Sequence, residues 1–160
     1  MPESNFGPAR NVHYMHAALK QARVAARKGE VPVGALVVDQ DGTIISRAHN
    51  LVEKRQTQCA HAEMIALKRA AKKRGGWRLH GCWLFVTLEP CSMCFSMARL
   101  SRIDGIVYGA SSPLYGYSLD TKIASPLYSG GAFRVVEGVC AEKSAELLSH
   151  FFKKRRENGE

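Results

Sequence analysis

Apolar positions in the first third of the chain follow a helical pattern and then a strand-like pattern. In residues 12–28 they recur every three or four positions, which predicts an amphipathic helix with Asn11 as its cap. Residues 33–38 are almost entirely apolar, and Asp41-Gly42 is a hairpin turn signal before a second predicted strand at 43–48. The chain is therefore expected to begin with a helix and a β-hairpin.

Helical and strand-like segments continue to alternate in the rest of the chain. Residues 50–59 are polar and have no period, whereas residues 60–74 are predicted to form a helix that ends at Gly75. Residues 83–88 are typical of a buried strand, and Pro90 lies where a third helix would begin, because proline is tolerated in the first helical turn. The remaining predicted elements are two strands and a closing helix, at 105–110, 132–139 and 143–156.

This order of elements predicts a fold class. Strands that alternate with helices form one mixed sheet with helices on its faces, a three-layer α/β/α arrangement, here with five strands. The 160 residues are enough for one domain with a sizeable core and too few for two of ordinary size. We expect one domain over residues 1–160, with its core between about 12 and 156.

Composition indicates a cytoplasmic protein. Apolar residues make up 46% and charged residues 23%, which is typical of soluble globular proteins. No apolar run approaches the roughly 20 residues that span a bilayer, and the first ten residues lack the apolar segment of a secretory signal. The five cysteines are an odd number, which favours a reducing compartment over a disulfide scaffold.

The net charge of +9 makes polyanions, and nucleic acids first among them, candidate partners. A protein that is basic for no functional reason fits the same charge equally well. Charge therefore leaves the partner open.

Two short motifs contain candidate metal ligands: His61 in the segment CAHAEMIAL (59–67), and Cys91 and Cys94 in PCSMC. Zinc takes imidazole and thiolate ligands, and a catalytic zinc site keeps three protein ligands and one open position. The two cysteines are three residues apart at a predicted helix start, so they share one face, and the helix N-terminus lowers thiol pKa values. The three residues are the predicted zinc ligands.

Glu63 is the candidate proton carrier beside that site. About 200° of helical rotation separates it from His61, so the two side chains can converge only near a helix end. Zinc lowers the pKa of bound water to roughly 7, and a nearby carboxylate can take that proton and pass it to a substrate. The predicted reaction is hydrolytic attack on a carbon atom.

Each motif alone has other interpretations. The cysteine pair fits a thioredoxin-like redox site, and Glu63 as a fourth ligand would close a structural zinc site. H-x-E together with P-C-x-x-C, thirty residues further along, is much more specific than either half.

Together the motifs resemble the zinc deaminases of the cytidine deaminase-like class. Within that class the chain is similar to the bacterial tRNA-specific adenosine deaminases from about Val12 to Arg156. The similarity is strongest in five blocks: EVPVGA (30–35), AHAEMIAL (60–67), TLEPCSMC (87–94), SRI (101–103) and FFKKRR (151–156).

The resemblance implies a cytidine deaminase-like fold and a homodimeric enzyme with one Zn²⁺ per subunit. It also implies that the enzyme hydrolytically converts adenosine to inosine at the wobble position of a tRNA anticodon stem-loop. By position, His61, Cys91 and Cys94 match the zinc ligands and Glu63 matches the proton shuttle. The residues implied at the flipped base and the anticodon loop are Asn50, Val33, the backbone of Ala62, Leu88, Phe151, Phe152 and Arg155.

Two stretches depart from the family pattern. Residues 112–116 (SPLYG) replace a usual Asp-Ala-Lys-x-Gly, which removes an acidic RNA-contacting residue and a lysine. Gln58-Cys59 replaces Pro-Thr, which adds a thiol two residues from His61, and Cys59 is expected to be a passive residue of the cap region and not a fourth zinc ligand. Cys82 and Cys140 are expected to pack in strands.

Two other functions fit the motifs. One is a deaminase of free guanine, cytosine or a nucleoside, and the other is a non-catalytic RNA-binding module with structural zinc. Phe151 and Phe152 could also dock the last helix, with the basic run as a solvated end. The segment FFKKRR favours RNA, because a small-molecule enzyme has little use for it.

Overall fold

The computed structural model describes residues 3–120 and 133–160, and its strands follow the predicted apolar runs. In chain order they are β1 (Gly34–Val38), β2 (Ile44–His49), β3 (Trp83–Leu88), β4 (Gly105–Ala110) and β5 (Arg134–Val136). They form one sheet in the order β2-β1-β3-β4-β5. Strand β1 pairs antiparallel with β2 and β3, whereas β3–β4 and β4–β5 are parallel pairs. The predicted mixed five-stranded sheet is confirmed.

Helices cover both faces of this sheet. In the described residues they are α1 (Gly7–Arg27), α2 (Val52–Arg55), α3 (Ala62–Arg74), α4 (Ser92–Leu100) and α5 (Ala141–Glu157). Because strand side chains alternate, Leu36 of β1 packs in the cluster under α1, and Val37 packs in the cluster under α3 and α4. Helix α5 lies against β4, β3 and α1. The three-layer α/β/α fold is confirmed, and within the part described no helix is long and apolar enough to cross a bilayer.

The start of β1 lies directly against α1. A Cβ atom on Gly34 would overlap the backbone oxygen of Ala18 and the backbone nitrogen of Ala22, so only glycine permits this approach. The Gly34 N–H donates to Thr87 Oγ1 at 3.1 Å, which links the start of β1 to the end of β3. These contacts place the start of β1 and the end of β3 at the same edge of the sheet.

Helix α1 begins five residues before the predicted start. Phe6 is its N-cap residue, and Pro8 is in its first turn, a position that needs no backbone N–H donor. The Phe6 ring packs edge-on against Tyr14 at 5.3 Å, which anchors the additional turn. Asn11, predicted as the cap, is instead buried inside the helix and accepts a 2.6 Å hydrogen bond from Ser4 Oγ.

The segment 50–59, predicted to be unpatterned, contains α2 and most of a 3-10 turn at Gln58–Ala60. Glu30 is almost fully buried and accepts hydrogen bonds from the N–H groups of Glu53 (3.1 Å) and Lys54 (2.8 Å). This cap comes from a residue more than twenty positions away, so no local pattern reveals α2. The 3-10 turn includes residue 60 and His61 is the N-cap residue, so helix α3 begins at Ala62 and not at residue 60.

The C-terminal part of the sheet is shorter than predicted. Strand β5 has three residues, whereas the prediction covered 132–139, and residue 132 lies outside the described residues. Gly138 and Cys140 have φ values of 79° and 56°, a left-handed backbone that cannot continue a strand. Cys140 is therefore the half-buried N-cap residue of α5 and not a strand residue, while Cys82 is fully buried just before β3.

Candidate metal centre and active site

His61 and Glu63 lie at the start of α3. His61 is the N-cap residue with ψ of 145°, so it precedes the regular helix, whereas Glu63 is in the first turn. This break in the helical geometry allows the two side chains to approach one point. Glu63 is buried, with 5% of the residue exposed. As the sequence predicts, His61 and Glu63 both lie at the end of a helix.

The two cysteines lie at the start of α4. Cys91 is the N-cap residue in extended conformation, and Cys94 is in the first turn. The prediction placed both inside the first turn, beginning near Pro90, so the helix starts slightly later than expected. The two sulfur atoms nonetheless lie within 4.8 Å of each other.

The three predicted ligand atoms form one compact cluster. His61 Nδ1 is 3.7 Å from Cys91 Sγ and 3.4 Å from Cys94 Sγ, and all three atoms lie within 4.8 Å of one another. A nitrogen about 2.0 Å and a sulfur about 2.3 Å from one zinc ion, at a tetrahedral angle, are roughly 3.6 Å apart. One imidazole and two thiols at these separations fit a zinc ion without rearrangement.

The cluster has three members, and Glu63 is not one of them. No carboxylate of the described residues joins the group of ligand atoms within 4.8 Å. A three-ligand set with a buried carboxyl beside it matches an open catalytic site better than a closed structural one.

Gln58 orients the imidazole of His61. Its Oε1 accepts a 2.9 Å hydrogen bond from Nε2, which places the proton on Nε2 and leaves the Nδ1 lone pair facing the cysteines. The 3-10 turn positions Gln58 three residues before the histidine. The sequence reasoning missed this residue, and its only signal was the departure from the family's Pro-Thr.

The pKa values of the cluster residues favour the binding of a cation. A hydrogen bond from Cys94 lowers the pKa of Cys91 to about 4, and the same bond raises the pKa of Cys94. The hydrogen bond with Cys91 also raises the pKa of His61. One negative charge is thus held between the sulfurs, where a divalent cation would bind.

Glu63 differs electrostatically from the cluster residues. Burial raises the pKa of its carboxyl to about 7. A neighbouring cation would lower that pKa again. Its surroundings therefore allow Glu63 both to hold and to release a proton near neutral pH.

The residues predicted to surround the base lie at the same edge of the sheet. Asn50, just after β2, is linked to two of the others: its N–H donates to Val33 O (3.1 Å), and its Oδ1 accepts from Ala62 N–H (3.0 Å). Leu88 is the last residue of β3 and is half-buried. Strands β1 and β3 pair antiparallel, and their register, continued past the last paired residues, leads to Val33 on one strand and Leu88 on the other. The structure therefore brings Asn50, Val33 and Ala62 into contact and places Leu88 beside them.

Glu89, which the sequence reasoning left without a role, holds the loop next to the metal cluster. Its buried carboxylate accepts from Ser112 N–H (2.9 Å), Ser118 N–H (3.1 Å) and Ser118 Oγ (2.6 Å). A Cβ on Gly116 would overlap this carboxylate, and Gly116 forms a β-bridge with Cys91. The sequence signal for this role of Glu89 was a charged residue between an apolar strand and a proline.

The loop that departs from the family pattern, residues 112–116, is partly buried. Ser112 and Gly116 are buried by their contacts with Glu89, whereas Leu114 and Tyr115 are exposed. The departure therefore replaces charged groups with apolar ones at an exposed tip beside the site.

The aromatic residues of α5 are divided between core and surface. Phe151 is buried, and Arg155 stacks on its ring at 5.0 Å and donates to Gly29 O (3.4 Å). Phe152 is 41% exposed. Phe151 therefore docks the helix, whereas Phe152 and the flanking basic side chains are available at the surface.

Known proteins that are similar to this chain include a zinc-binding deaminase family and individual members of it. The sequence profile of the cytidine and deoxycytidylate deaminase zinc-binding region matches residues 9–110, a span that contains both motifs. The tRNA-specific adenosine deaminase of Bacillus subtilis (strain 168) is 46% identical over 145 residues, 89% of each chain. That of Aquifex aeolicus (strain VF5) is 43% identical over 149 residues, 91% of this chain and 96% of the relative.

A solved structure from work on A-to-I editing by tRNA:A34 deaminases at the wobble position of transfer RNA also superimposes on this chain. The TM-score is 0.78 at 36% sequence identity, over 85% of this chain and 99% of the other. The similarity therefore extends over most of both chains.

Removing the hydrogen bond to His61 should weaken metal binding. We expect Gln58→Ala to lower zinc affinity about tenfold, the low end for loss of such a partner, because this bond is exposed to solvent. Competition with a chromophoric chelator measures the affinity without reference to activity.

Cys59→Ser is the matched control, because Cys59 is the neighbouring residue and lies outside the ligand cluster. It should bind zinc as the unmodified protein does. Equal affinity of Gln58→Ala and the unmodified protein would contradict the orienting role, and weak binding by Cys59→Ser would identify Cys59 as a ligand.

Proposed function

The chain belongs to the cytidine and deoxycytidylate deaminase family, in the group of tRNA-specific adenosine deaminases, and we propose that it converts adenosine to inosine at the wobble position of tRNA. The observation that supports this most directly is the His61, Cys91 and Cys94 cluster with the buried carboxyl of Glu63 beside it. The reaction is a zinc-dependent hydrolysis at the first anticodon nucleotide.

Water adds to C6 of the adenine, and the amino group leaves as ammonia. His61, Cys91 and Cys94 would hold the zinc ion, which would supply a Lewis acid that makes water acidic enough to attack at neutral pH. Glu63 takes one proton of the attacking water and delivers it to the ring nitrogen, and it then takes the proton of the resulting C6 hydroxyl and delivers it to the amino group, so that ammonia leaves as the C6 carbonyl forms. Burial raises the pKa of this carboxyl and bound zinc would lower it, and these opposing effects let Glu63 both accept and release a proton.

Asn50 is the proposed contact to the flipped base. Its Oδ1 is held by Ala62 N–H, which fixes the side chain and leaves Nδ2 as the group that donates to the base. Val33 and Leu88 supply the apolar walls. An extruded base from a loop costs less to capture than one from a duplex, so the anticodon loop suits this pocket.

Surface charge supports an RNA substrate over a free base or nucleoside. The net charge is +9, and the basic segment 153–156 follows the exposed Phe152 at the end of α5. Arg155 contacts Gly29, just ahead of Glu30 and β1, so this end of α5 lies at the edge of the sheet where the site is. Single-stranded RNA is bound by stacking on aromatic rings and by cationic contacts to phosphates.

A homodimer in the cytoplasm is the proposed assembly. Large apolar side chains are exposed on α4 and in the segment after β4: Met93, Leu100, Leu114, Tyr115 and Leu119. Apolar surface of this kind near a site is typical of a protein interface. Phe95, in contrast, is buried and belongs to the core of the chain.

Glu63→Gln should abolish inosine formation and leave zinc bound. Glutamine keeps the volume but cannot exchange protons, so we expect at least a hundredfold loss of activity on an anticodon stem-loop with adenosine at the first anticodon position. Inosine is measured by mass spectrometry of the digested RNA, and zinc content by elemental analysis.

The same assay separates the functions. Free guanine, cytosine, adenosine and cytidine, offered to the unmodified protein, should stay unconverted. Conversion of a free base alone would reject the RNA substrate. Loss of zinc from Glu63→Gln would mean that Glu63 is a ligand and the site is closed.

Phe152→Ala should weaken RNA binding without loss of stability. Base–aromatic stacking contributes about 1–3 kcal/mol, so we expect roughly tenfold lower affinity for the stem-loop by fluorescence anisotropy. Phe151→Ala is the contrasting variant and should lower the free energy of unfolding by about 3 kcal/mol, because Phe151 is buried. Unchanged RNA affinity of Phe152→Ala would remove Phe152 from the interface.

The dimer is tested by sedimentation equilibrium of the unmodified protein and of Leu100→Glu. We expect the mass of two chains for the first and of one chain for the second, because a charge at an apolar interface is costly to desolvate. Lys68→Glu, an exposed position on α3, is the control for a new acidic side chain. A monomeric unmodified protein would reject the dimer.

A further inference from the structure

A basic cleft lies between α1 and α5, apart from the metal centre. Its volume is about 200 Å³, and its lining consists of His16, Leu19, Lys20, Arg23 and Lys143. The first four are on one face of α1, and Lys143 is in the first turn of α5. Nothing in the deaminase chemistry uses these residues.

Within residues 3–120 and 133–160, the cationic groups of this cleft have no acidic partner in a salt bridge. Lys143 Nζ is 3.3 Å from His16 Nε2, so the ammonium group donates to the imidazole and not to a carboxylate. Among the described residues the structure has one salt bridge, between Arg155 and Glu160, which lies elsewhere. Lys20 and Arg23 form no ion pair with any acidic residue of that part of the chain.

The lining is suited to phosphate. Arginine and lysine are the usual phosphate-binding side chains, the first through its planar fork and the second as a point charge. Three cations around one concave surface create a positive potential that an anion would neutralise. Leu19 is the only aliphatic lining residue, so the cleft has little surface for a nucleotide base or a lipid chain.

The two helices run in the same direction toward the active-site edge of the sheet. Lys143 is beside His16 and Arg155 is beside Gly29, so α1 and α5 are parallel to each other. The twelve residues from Lys143 to Arg155 span roughly 18 Å of helix. An RNA stem is an A-form duplex, and this length covers several of its base-pair steps.

We propose that this cleft binds backbone phosphates in the double-stranded stem of the RNA whose loop enters the active site. The proposal rests on the proposed function, because the loop must lie at the C-terminal end of α5. From there the stem continues along the groove between α1 and α5, and its phosphates reach Arg23, Lys20 and Lys143 several base pairs away. The cleft thus adds affinity for a stem-loop over an isolated loop.

The test compares Lys20→Gln/Arg23→Gln with Lys72→Gln/Lys73→Gln. Both double variants remove two positive charges, but Lys72 and Lys73 are exposed at the end of α3, on the other face of the sheet. The dissociation constants of a labelled anticodon stem-loop and of its seven-nucleotide loop alone are measured by anisotropy over a range of salt concentrations. Circular dichroism checks that each variant is folded.

We expect the cleft variant to bind the stem-loop about tenfold more weakly at roughly 0.1 M salt, with a log-log salt slope smaller by between one and two. Its affinity for the isolated loop should stay within twofold of the unmodified protein. The α3 variant should bind both RNAs within twofold. Lys143→Gln, on the other helix, should reproduce part of the loss.

Equal stem-loop affinities of the two double variants would overturn the proposal, since net charge alone would then explain binding. A free anion is the other source of phosphate. If inorganic phosphate raises the melting temperature of the unmodified protein but not of the cleft variant, while stem-loop affinity is unchanged, the cleft binds free phosphate and the stem assignment is wrong.

Inosine formation separates this proposal from the proposed function. With saturating stem-loop the cleft variant should keep the turnover of the unmodified protein and show a raised KM. If the unmodified protein forms no inosine but its stem-loop affinity depends on Lys20 and Arg23, the proposed function fails and the cleft stands.

Discussion

The convergence of two helix starts on one point is the constraint on which the site depends. The imidazole of His61 and the thiols of Cys91 and Cys94 must come within about 3.6 Å of one another, although thirty residues separate the motifs. Both helices therefore have to begin at the same edge of the sheet. The Asn50–Ala62 hydrogen bond holds one start, and the bridge between Cys91 and Gly116 holds the other.

Three buried carboxylates around this edge do different work because their partners differ. Glu30 and Glu89 accept hydrogen bonds from backbone N–H groups, so burial is compensated and they fix α2 and the loop after β4. At Glu63 burial outweighs its hydrogen bonds, and its pKa rises to about 7. The two structural carboxylates hold the site rigid, and the third is left free to exchange protons.

The basic surface has two parts that one helix joins. Phe151 anchors the C-terminal end of α5, with Arg155 stacked on its ring, and this leaves Phe152 exposed at the edge where the base would enter. The N-terminal end of the same helix places Lys143 in the cleft beside α1. A single rigid helix thus relates the position of the base to that of the distant phosphates, which would orient a stem-loop and not a free base.

Local pattern determined the strands, most of the helices and the zinc chemistry, because apolar periodicity and ligand type depend on neighbouring residues. The four residues His61, Glu63, Cys91 and Cys94 were identifiable from two short motifs and their order. Tertiary contacts determined the features that depend on residues far apart in the sequence. Glu30 caps α2, and Cys140 is the N-cap residue of α5 and not a strand residue. The same contacts set the protonation of His61 through Gln58, the loop held by Glu89, and the division between buried Phe151 and exposed Phe152. Burial, hydrogen-bond partners and the meeting of separate helices are properties of the packed chain, and no local pattern contains them.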